Sequence, residues 1–170
     1  MPHRVCAFLG QEDKINHLAK ELNSEYILLP QGLSMIFLTK ELFDRLLESK
    51  KIPIHQTMLD IENFNKFSYL APHIISVLIQ HSNKCKLSYF ETCYHGGMGW
   101  QVAVLFENSQ PKFPAFYTVD GEGFHEEDEN TSEPVDERAI NRVLKEFGVN
   151  KIQGMDAFDS MGLGNYRWSE

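Results

Sequence analysis

Several features that would place the chain in a familiar class are missing from its sequence. No apolar run approaches the roughly 20 residues that a membrane-spanning helix needs. The apolar run from Val5 to Leu9 is too short for the core of a signal peptide. Cysteine is scarce: Cys6, Cys85 and Cys93 are an odd number with no CxxC spacing, unlike a disulfide framework. We therefore expect a cytoplasmic protein with free thiols.

The common catalytic and metal-binding signatures are also missing. The sequence has no GxGxxG fingerprint after a strand, no phosphate-binding Gly-Lys-Ser/Thr, no GxSxG elbow and no HExxH. Cys93 and His95 form a conceivable Cys–His pair, but no third member accompanies them. Glu91, Cys93 and His95 share one side of a strand, yet they span roughly 13 Å, too far for one ion. We expect no cofactor and no metal, and we favour a protein that is not an enzyme.

Basic residues are absent from residues 120–137, a segment that holds nine of the 24 acidic residues. The other 152 positions carry fifteen acids and all 16 bases, so the net charge of −8 belongs to this segment. Nonspecific nucleic-acid binding requires a broad basic surface, so we expect no direct binding to DNA or RNA. We expect a mobile acidic loop at 120–132, either a solvated linker or a surface for a basic partner.

The spacing of apolar residues predicts helices and short strands that alternate irregularly along the chain. Helices are predicted over residues 12–22, 40–49, 69–82 and from about 132 to 147. Strands are predicted over residues 4–9, 26–29, 33–38 and 115–119. Because strands often follow one another directly, the pattern favours an α+β fold over a doubly wound sheet. We expect a single domain, residues 1–170, in which three to four helices pack on a mixed or antiparallel sheet.

A hairpin over residues 86–106 is the most informative stretch. Both of its strands carry apolar side chains on both faces, which predicts a central hairpin covered on two sides. Its tip holds Gly96, Gly97 and Gly99. Glycine permits a positive φ or the close approach of a neighbour, and a turn alone needs only one or two such residues. The tip is therefore either a ligand-binding loop, with His95 as a donor, or a joint against which the C-terminal tail packs.

Two segments carry a resemblance. Tyr94 to Gln101 reads Tyr-His-Gly-Gly-Met-Gly-Trp-Gln, and residues 156–167 read Asp-Ala-Phe-Asp-Ser-Met-Gly-Leu-Gly-Asn-Tyr-Arg. The first resembles a Tyr-aromatic-Gly-Gly-x-Gly-x-Gln hairpin tip, and the second a C-terminal Asp-x-Phe-Asp-x-(Ile/Leu)-Gly-Leu-Gly-x-Tyr-Arg segment, of small soluble bacterial proteins. His95 stands at the aromatic position and Met161 at the aliphatic one. The resemblance implies a bacterial, cytosolic protein and no particular chemistry.

These features support two functional hypotheses. The first is a noncatalytic cytosolic interaction protein, such as an immunity- or antitoxin-like inhibitor, that binds a basic protein partner. Its partner-binding residues would be Glu126, Glu127, Asp128 and Glu129. The alternative is a small enzyme or ligand-binding domain with a pocket between the glycine tip and the tail. Its ligand-binding residues would be Tyr94, His95, Gly96, Gly97, Gly99, Gln101, Asp159 and Arg167.

Overall fold

An antiparallel sheet forms the centre of the protein. The computed structural model describes residues 3–49, 62–95, 98–120 and 135–166. Within these ranges seven strands form one sheet, and every pairing is antiparallel. The strands are β1 His3–Gln11, β2 Ile27–Leu28, β3 Leu33–Phe37, β4 Lys86–His95, β5 Met98–Glu107, β6 Gln110–Pro111 and β7 Phe116–Asp120. The predicted α+β fold is confirmed, and its sheet is antiparallel.

The strand order places β4 and β5 among the other strands of the sheet. The order is β2-β3-β1-β4-β5-β6, and β7 also pairs with β5. The predicted hairpin is therefore β4 and β5, with β4 between β1 and β5 in the interior of the sheet. β6 pairs with the far end of β5, at Phe106 and Glu107. β7 pairs with the half nearer the tip, from Gly99 to Ala103. Consequently β4, β5 and β7 lie side by side at the tip.

Five α-helices lie in the described ranges, where three to four were predicted. They are α1 Glu12–Glu21, α2 Lys40–Glu48, α3 Pro72–His81, α4 Ala139–Glu146 and α5 Ala157–Ser160. Thr39 caps α2, since its Oγ1 accepts a hydrogen bond from the Leu42 N–H at 3.2 Å. α3 begins at Pro72, later than predicted, because proline suits the first helical position. No helix in the described part of the chain has the length and apolarity needed to cross a bilayer.

Helices cover both faces of the sheet, as the apolar residues on both sides of the hairpin predict. α1, α2 and α3 pack on the face that carries Phe8, Tyr89 and Phe106. α4 and α5 pack on the opposite face, over Phe90 and Leu105. Burying each such large apolar side chain contributes about 1.5–3 kcal/mol. The two helical layers therefore hold β4 and β5 in place from both faces of the sheet.

One carboxylate lies inside the first of these layers. Glu91 is fully buried on the α1–α3 face of β4, opposite Cys6 in the register with β1. Its carboxylate accepts hydrogen bonds from the N–H groups of Ser68 and Tyr69, both at 2.8 Å, and from the Tyr89 hydroxyl at 3.0 Å. Burial raises the pKa of Glu91, and these hydrogen bonds offset part of that effect. Glu91 thus ties the chain that precedes α3 to the sheet.

Candidate functional site

The register of three strands brings Tyr94, Gly99 and Asp120 into one row. Tyr94 of β4 lies opposite Gly99 of β5, and Gly99 lies opposite Asp120 of β7. A Cβ atom at position 99 would lie 2.6 Å from the Tyr94 ring and 2.3 Å from the Cys93 carbonyl oxygen. Glycine therefore leaves the space that the tyrosine ring fills. The Tyr94 hydroxyl reaches across β5 and donates a hydrogen bond to the Asp120 carboxylate.

The next row of the sheet holds the start of α4. Gln101 of β5 pairs with Thr118 of β7 and lies on the same face as the Tyr94 ring. The Thr118 hydroxyl accepts from the Ala139 N–H, and Gln101 Oε1 accepts from the Ile140 N–H, each at 3.2 Å. The first N–H groups of a helix have no partner within it. Strand side chains therefore satisfy two of them and fix α4 over the sheet.

Arg138 precedes α4 and extends this arrangement. Its Nε lies 3.2 Å from Asp120 Oδ2, in a contact that is mostly shielded from solvent. Asp120 itself is only 7% exposed. One oxygen, Asp120 Oδ2, thus accepts the hydrogen bond from the Tyr94 hydroxyl and also faces Arg138 Nε. The contact is an ion pair by distance, because Arg138 Nε is buried and makes no hydrogen bond with a described residue.

The C-terminal segment is joined to α4 by Asp156 and Asn141. Asp156 caps α5, with its Oδ1 accepting from the Asp159 N–H at 2.7 Å. Its Oδ2 accepts from the Asn141 side-chain amide at 2.8 Å. The Asn141 Oδ1 accepts from the Phe158 N–H at 2.7 Å. These bonds hold residues 156–159 beside the Tyr94–Asp120 row.

A cavity of about 270 Å³ lies where these elements meet. We call it the tip pocket, and it is lined by Tyr94, Gln101, Arg138, Asp156, Phe158, Asp159 and Gly164. Its polar groups come from β4, β5, the residue before α4, and the C-terminal segment. The C-terminal segment therefore meets the β4–β5 hairpin at a concave site.

The electrostatics of the tip pocket hold Tyr94 in its protonated form. Burial, followed by the hydrogen bond to Asp120 and the negative charge of that residue, raises the pKa of the Tyr94 phenol. Arg138 and a hydrogen bond from Gln101 act in the opposite direction but do not cancel the rise. The Tyr94 hydroxyl is therefore a hydrogen-bond donor at neutral pH and a poor base or nucleophile.

The structure brings together three of the predicted ligand-binding residues. Tyr94, Gln101 and Asp159 line the tip pocket, and Gly99 lies beneath the Tyr94 ring. His95 does not line it: neighbouring strand residues face opposite ways, and the His95 side chain is exposed. The remaining predicted residues lie outside the described ranges, namely Gly96, Gly97, Arg167, Glu126, Glu127, Asp128 and Glu129.

Sequence reasoning missed Arg138, and it treated Asp120 only as part of an acidic loop. Asp120 is instead the last residue of β7 and is buried, so the predicted loop began one residue too early. Two weak signals were available. Arg138 is the first basic residue after the acidic segment, and Asp156 belongs to the same C-terminal motif as Asp159. Neither signal reveals that the register of β5 and β7 places Asp120 opposite Gly99.

Asp120 and Val135, which flank residues 121–134 of the acidic segment, are both attached beside the tip pocket. Asp120 contacts Tyr94 and Arg138, and the Val135 carbonyl accepts a hydrogen bond from the Asn141 side chain at 2.7 Å. The described acids of the segment each face a base: Asp120 faces Arg138, Asp136 lies 2.6 Å from Lys151, and Glu137 lies 3.9 Å from Arg142. The other six acids, Glu122, Glu126, Glu127, Asp128, Glu129 and Glu133, lie outside the described ranges.

A larger cavity of about 610 Å³ lies along the β7 edge. Phe113, Phe116 and Tyr117 line it, and the Arg142 guanidinium lies 3.9 Å from the centre of the Phe116 ring. Its charges are mostly paired, since Glu137 faces Arg142 and Glu146 lies 3.0 Å from Lys112. None of the predicted site residues lines it, so the tip pocket is the better candidate.

The thiols and metal-ligating side chains give no competing centre in the described ranges. Burial and the neighbouring Glu91 raise the pKa of the Cys6 thiol to about 12, which makes it inert as a nucleophile. Cys85 Sγ lies 3.0 Å from the His81 carbonyl oxygen, and burial raises its pKa as well. No three His, Cys, Asp or Glu side chains of the described residues are grouped as metal ligands would be.

Comparison with known proteins finds no matching family model, no matching curated protein and no matching solved structure.

Proposed function

We propose that the protein is a noncatalytic binding protein whose ligand enters the tip pocket. One observation carries the proposal: Tyr94 and Gln101 of the hairpin line one cavity together with Arg138 and with Asp159, which lies far along the chain. Concave sites with a few convergent polar groups are where proteins most often bind small ligands. At about 270 Å³ the cavity suits a small metabolite or a single side chain of a partner.

Most polar groups of the pocket already make hydrogen bonds within the fold, which supports binding over catalysis. Gln101 accepts from the Ile140 N–H, and the two Asp156 oxygens accept from the Asp159 backbone N–H and from the Asn141 side chain. The Tyr94 hydroxyl is a protonated donor already engaged by Asp120. Side chains committed in this way fix shape and orientation, whereas a general base needs a pKa near the working pH and a free lone pair.

Filling the cavity tests this proposal. Gly164 is exposed and lines the pocket, and a Cβ atom there would make ordinary contacts, 3.7 Å from both Asp159 Oδ1 and the Phe158 ring. We therefore expect a larger side chain at this position to extend into the pocket. We expect Gly164→Leu to fold and to lose binding of small polar molecules detected by saturation-transfer NMR. The probes are amino acids, simple amines, simple carboxylates and nucleosides. If Gly164→Leu retains every interaction of the wild type, the pocket is not the binding site.

A second candidate function is binding of a basic protein partner through the acidic segment, as an immunity- or antitoxin-like inhibitor would do. The positions of Asp120 and Val135, which flank residues 121–134, favour it: Asp120 contacts Tyr94 and Arg138 of the pocket lining, and Val135 bonds Asn141, which also bonds Asp156 of that lining. The charge distribution agrees, since residues 120–137 hold nine acids and no base. Such a surface gives fast association that depends strongly on salt.

Matched charge variants test the second candidate. Replacing Glu126, Glu127, Asp128 and Glu129 by their amides changes the net charge from −8 to −4. The control replaces four exposed acids elsewhere by amides, with the same change of charge: Glu25, Glu41, Asp44 and Glu48. We expect only the first variant to bind poly-L-lysine about tenfold more weakly by calorimetry at low salt. Equal losses in both variants would mean that net charge alone attracts the polycation.

A further inference from the structure

We propose that the ligand of the tip pocket is a small zwitterion of the α-amino-acid class, with one carboxylate and one ammonium group. This inference rests on the proposed binding function of the pocket and names the chemistry of its ligand. The pocket is lined by one cationic and one anionic side chain that each have atoms available to a ligand. These atoms make no hydrogen bond or ion pair with another described residue. The two groups are Arg138 and Asp159.

Arg138 supplies the positive end. Asp120 lies beside its Nε, and no other residue in the described ranges bonds its two terminal nitrogens. The side chain is 28% exposed and lines the cavity. A guanidinium is planar and offers parallel N–H groups that match the two oxygens of a carboxylate. The negative charge of Asp120 attracts the guanidinium and keeps it near this wall of the pocket, which reduces the entropy cost of binding.

Asp159 supplies the negative end. The backbone N–H of Asp159 donates to Asp156, but its carboxylate forms no hydrogen bond or ion pair with another described residue. The residue is exposed, and its side chain lies close to Gly164 at the cavity wall. An ammonium group is the natural partner of a free carboxylate at a solvent-accessible edge. Asp156 differs, because both of its oxygens already accept hydrogen bonds.

The remaining lining favours a small ligand over a long one. The cavity of about 270 Å³ is slightly below the usual range for drug-sized ligands, about 300–1,000 Å³. Phe158 provides an apolar ring beside the two charges, where a short aliphatic side chain could pack. A purely cationic ligand would leave the Arg138 donors unmatched, and a purely anionic one would do the same to Asp159. A zwitterion satisfies both ends.

Ligand-observed NMR with the intact protein tests this assignment. The probes are norvaline, which carries both groups, butylamine, which lacks the carboxylate, and butyrate, which lacks the ammonium group. We expect norvaline to bind with a millimolar or lower Kd and each single-charge analogue to bind at least about tenfold more weakly. Amide chemical shifts of Phe158 and Gly164 should move on addition of norvaline alone.

Variants assign the two ends. Asp159→Asn should weaken norvaline binding about tenfold, whereas Asp44→Asn, an exposed control, should not change it. Arg138→Lys should lose part of the affinity, because a lysine keeps the charge but not the planar donors. Since Asp159 is exposed, Asp159→Asn keeps the test valid even if substitutions of Arg138 destabilise the fold.

The outcomes separate this inference from the function on which it rests. If butylamine or butyrate binds as tightly as norvaline, and Gly164→Leu abolishes that binding, the zwitterion assignment is wrong and the pocket remains a binding site. If no probe binds, norvaline and nucleosides included, and no amide of the pocket shifts, both proposals fall. Unchanged norvaline affinity in Asp159→Asn would also overturn the assignment.

Discussion

Glu91 and Asp120 each bury a carboxylate against the same sheet, on opposite faces and in different surroundings. Glu91 lies beneath the helices α1–α3 and is enclosed by hydrogen-bond donors, two of them backbone N–H groups. Asp120 lies at the end of β7, where it meets a tyrosine hydroxyl and an arginine that opens onto a cavity. The first carboxylate joins two parts of the chain. The second positions groups at an accessible surface.

The comparison shows how a buried acid can be judged from its neighbours. A carboxylate whose acceptors are all taken by the fold has no capacity left for a ligand. A carboxylate can instead pair with a cation whose other N–H groups remain free. It then helps to position those groups for a ligand at the surface. Burial alone therefore does not distinguish a structural acid from an acid that supports a binding site. The two are distinguished by whether the partner of the acid is exposed to a cavity.

The largest effect should come from Glu91→Ala. The substitution leaves the Ser68 and Tyr69 N–H groups and the Tyr89 hydroxyl without their buried acceptor. Each unsatisfied buried group costs about 1–3 kcal/mol, and removal of a buried charge offsets part of the sum. We expect the free energy of unfolding to fall by about 3 kcal/mol in urea denaturation. Glu25→Ala, at an exposed position, is the control, and an equal effect there would refute the role of Glu91.

Gly99→Ala should have the next largest effect, because it breaks the row that positions Asp120. The new Cβ would lie within 2.3 Å of the Cys93 carbonyl oxygen and 2.6 Å of the Tyr94 ring, so the strand or the ring must move. Overpacking of this kind costs about 1–3 kcal/mol. Gly164→Ala is the matched control, because its Cβ would meet nothing closer than 3.7 Å. Equal stabilities of the two variants by thermal unfolding would contradict the packing role of Gly99.

Local sequence patterns predict the strands and helices better than they predict the partners of Asp120. Two strand-like runs around the glycines in residues 86–106 predict the β4–β5 hairpin, and the helical spacing around Ile15 and Leu42 predicts α1 and α2. The glycines of the tip predict a close approach, which occurs at Gly99. These features depend on residues that are close in the sequence, so a short stretch of sequence is enough to predict them.

The partners of Asp120 could not be predicted in the same way. Counting charges treats Asp120 as one of nine solvated acids, whereas its burial depends on the pairing of Gly99 with Asp120 between two strands. Arg138 belongs to the site because Thr118 and Gln101 fix the start of α4, which is again a long-range contact. A single sequence specifies such contacts only through the complete fold.

Asp120→Asn should lower the free energy of unfolding by an intermediate amount, more than the same substitution of an exposed acid. The amide can still accept the Tyr94 hydrogen bond, but the charge that faces Arg138 is lost. Because the pair is mostly shielded from solvent, we expect a loss of about 1–2 kcal/mol. Asp136→Asn removes an exposed pair with Lys151 and should cost no more than about 0.5 kcal/mol. Urea denaturation that gives equal values for the two variants would show that the Asp120 pair is no more important than a surface contact.

The smallest effect is a change in the pH dependence of stability, and it isolates Glu91. Burial raises the pKa of Glu91 above that of the unfolded chain, so the folded state binds this proton more tightly. The stability from this group is fully present below the unfolded pKa and is lost as the pH rises through the raised folded pKa. Glu91→Gln removes the titration, so its stability should decline less than that of the wild type over this range. One group contributes at most about 1.4 kcal/mol per pH unit, and urea unfolding at a series of pH values measures the difference. Parallel curves for the two proteins would mean that the hydrogen bonds from Ser68 and Tyr69 outweigh the cost of burying the charge.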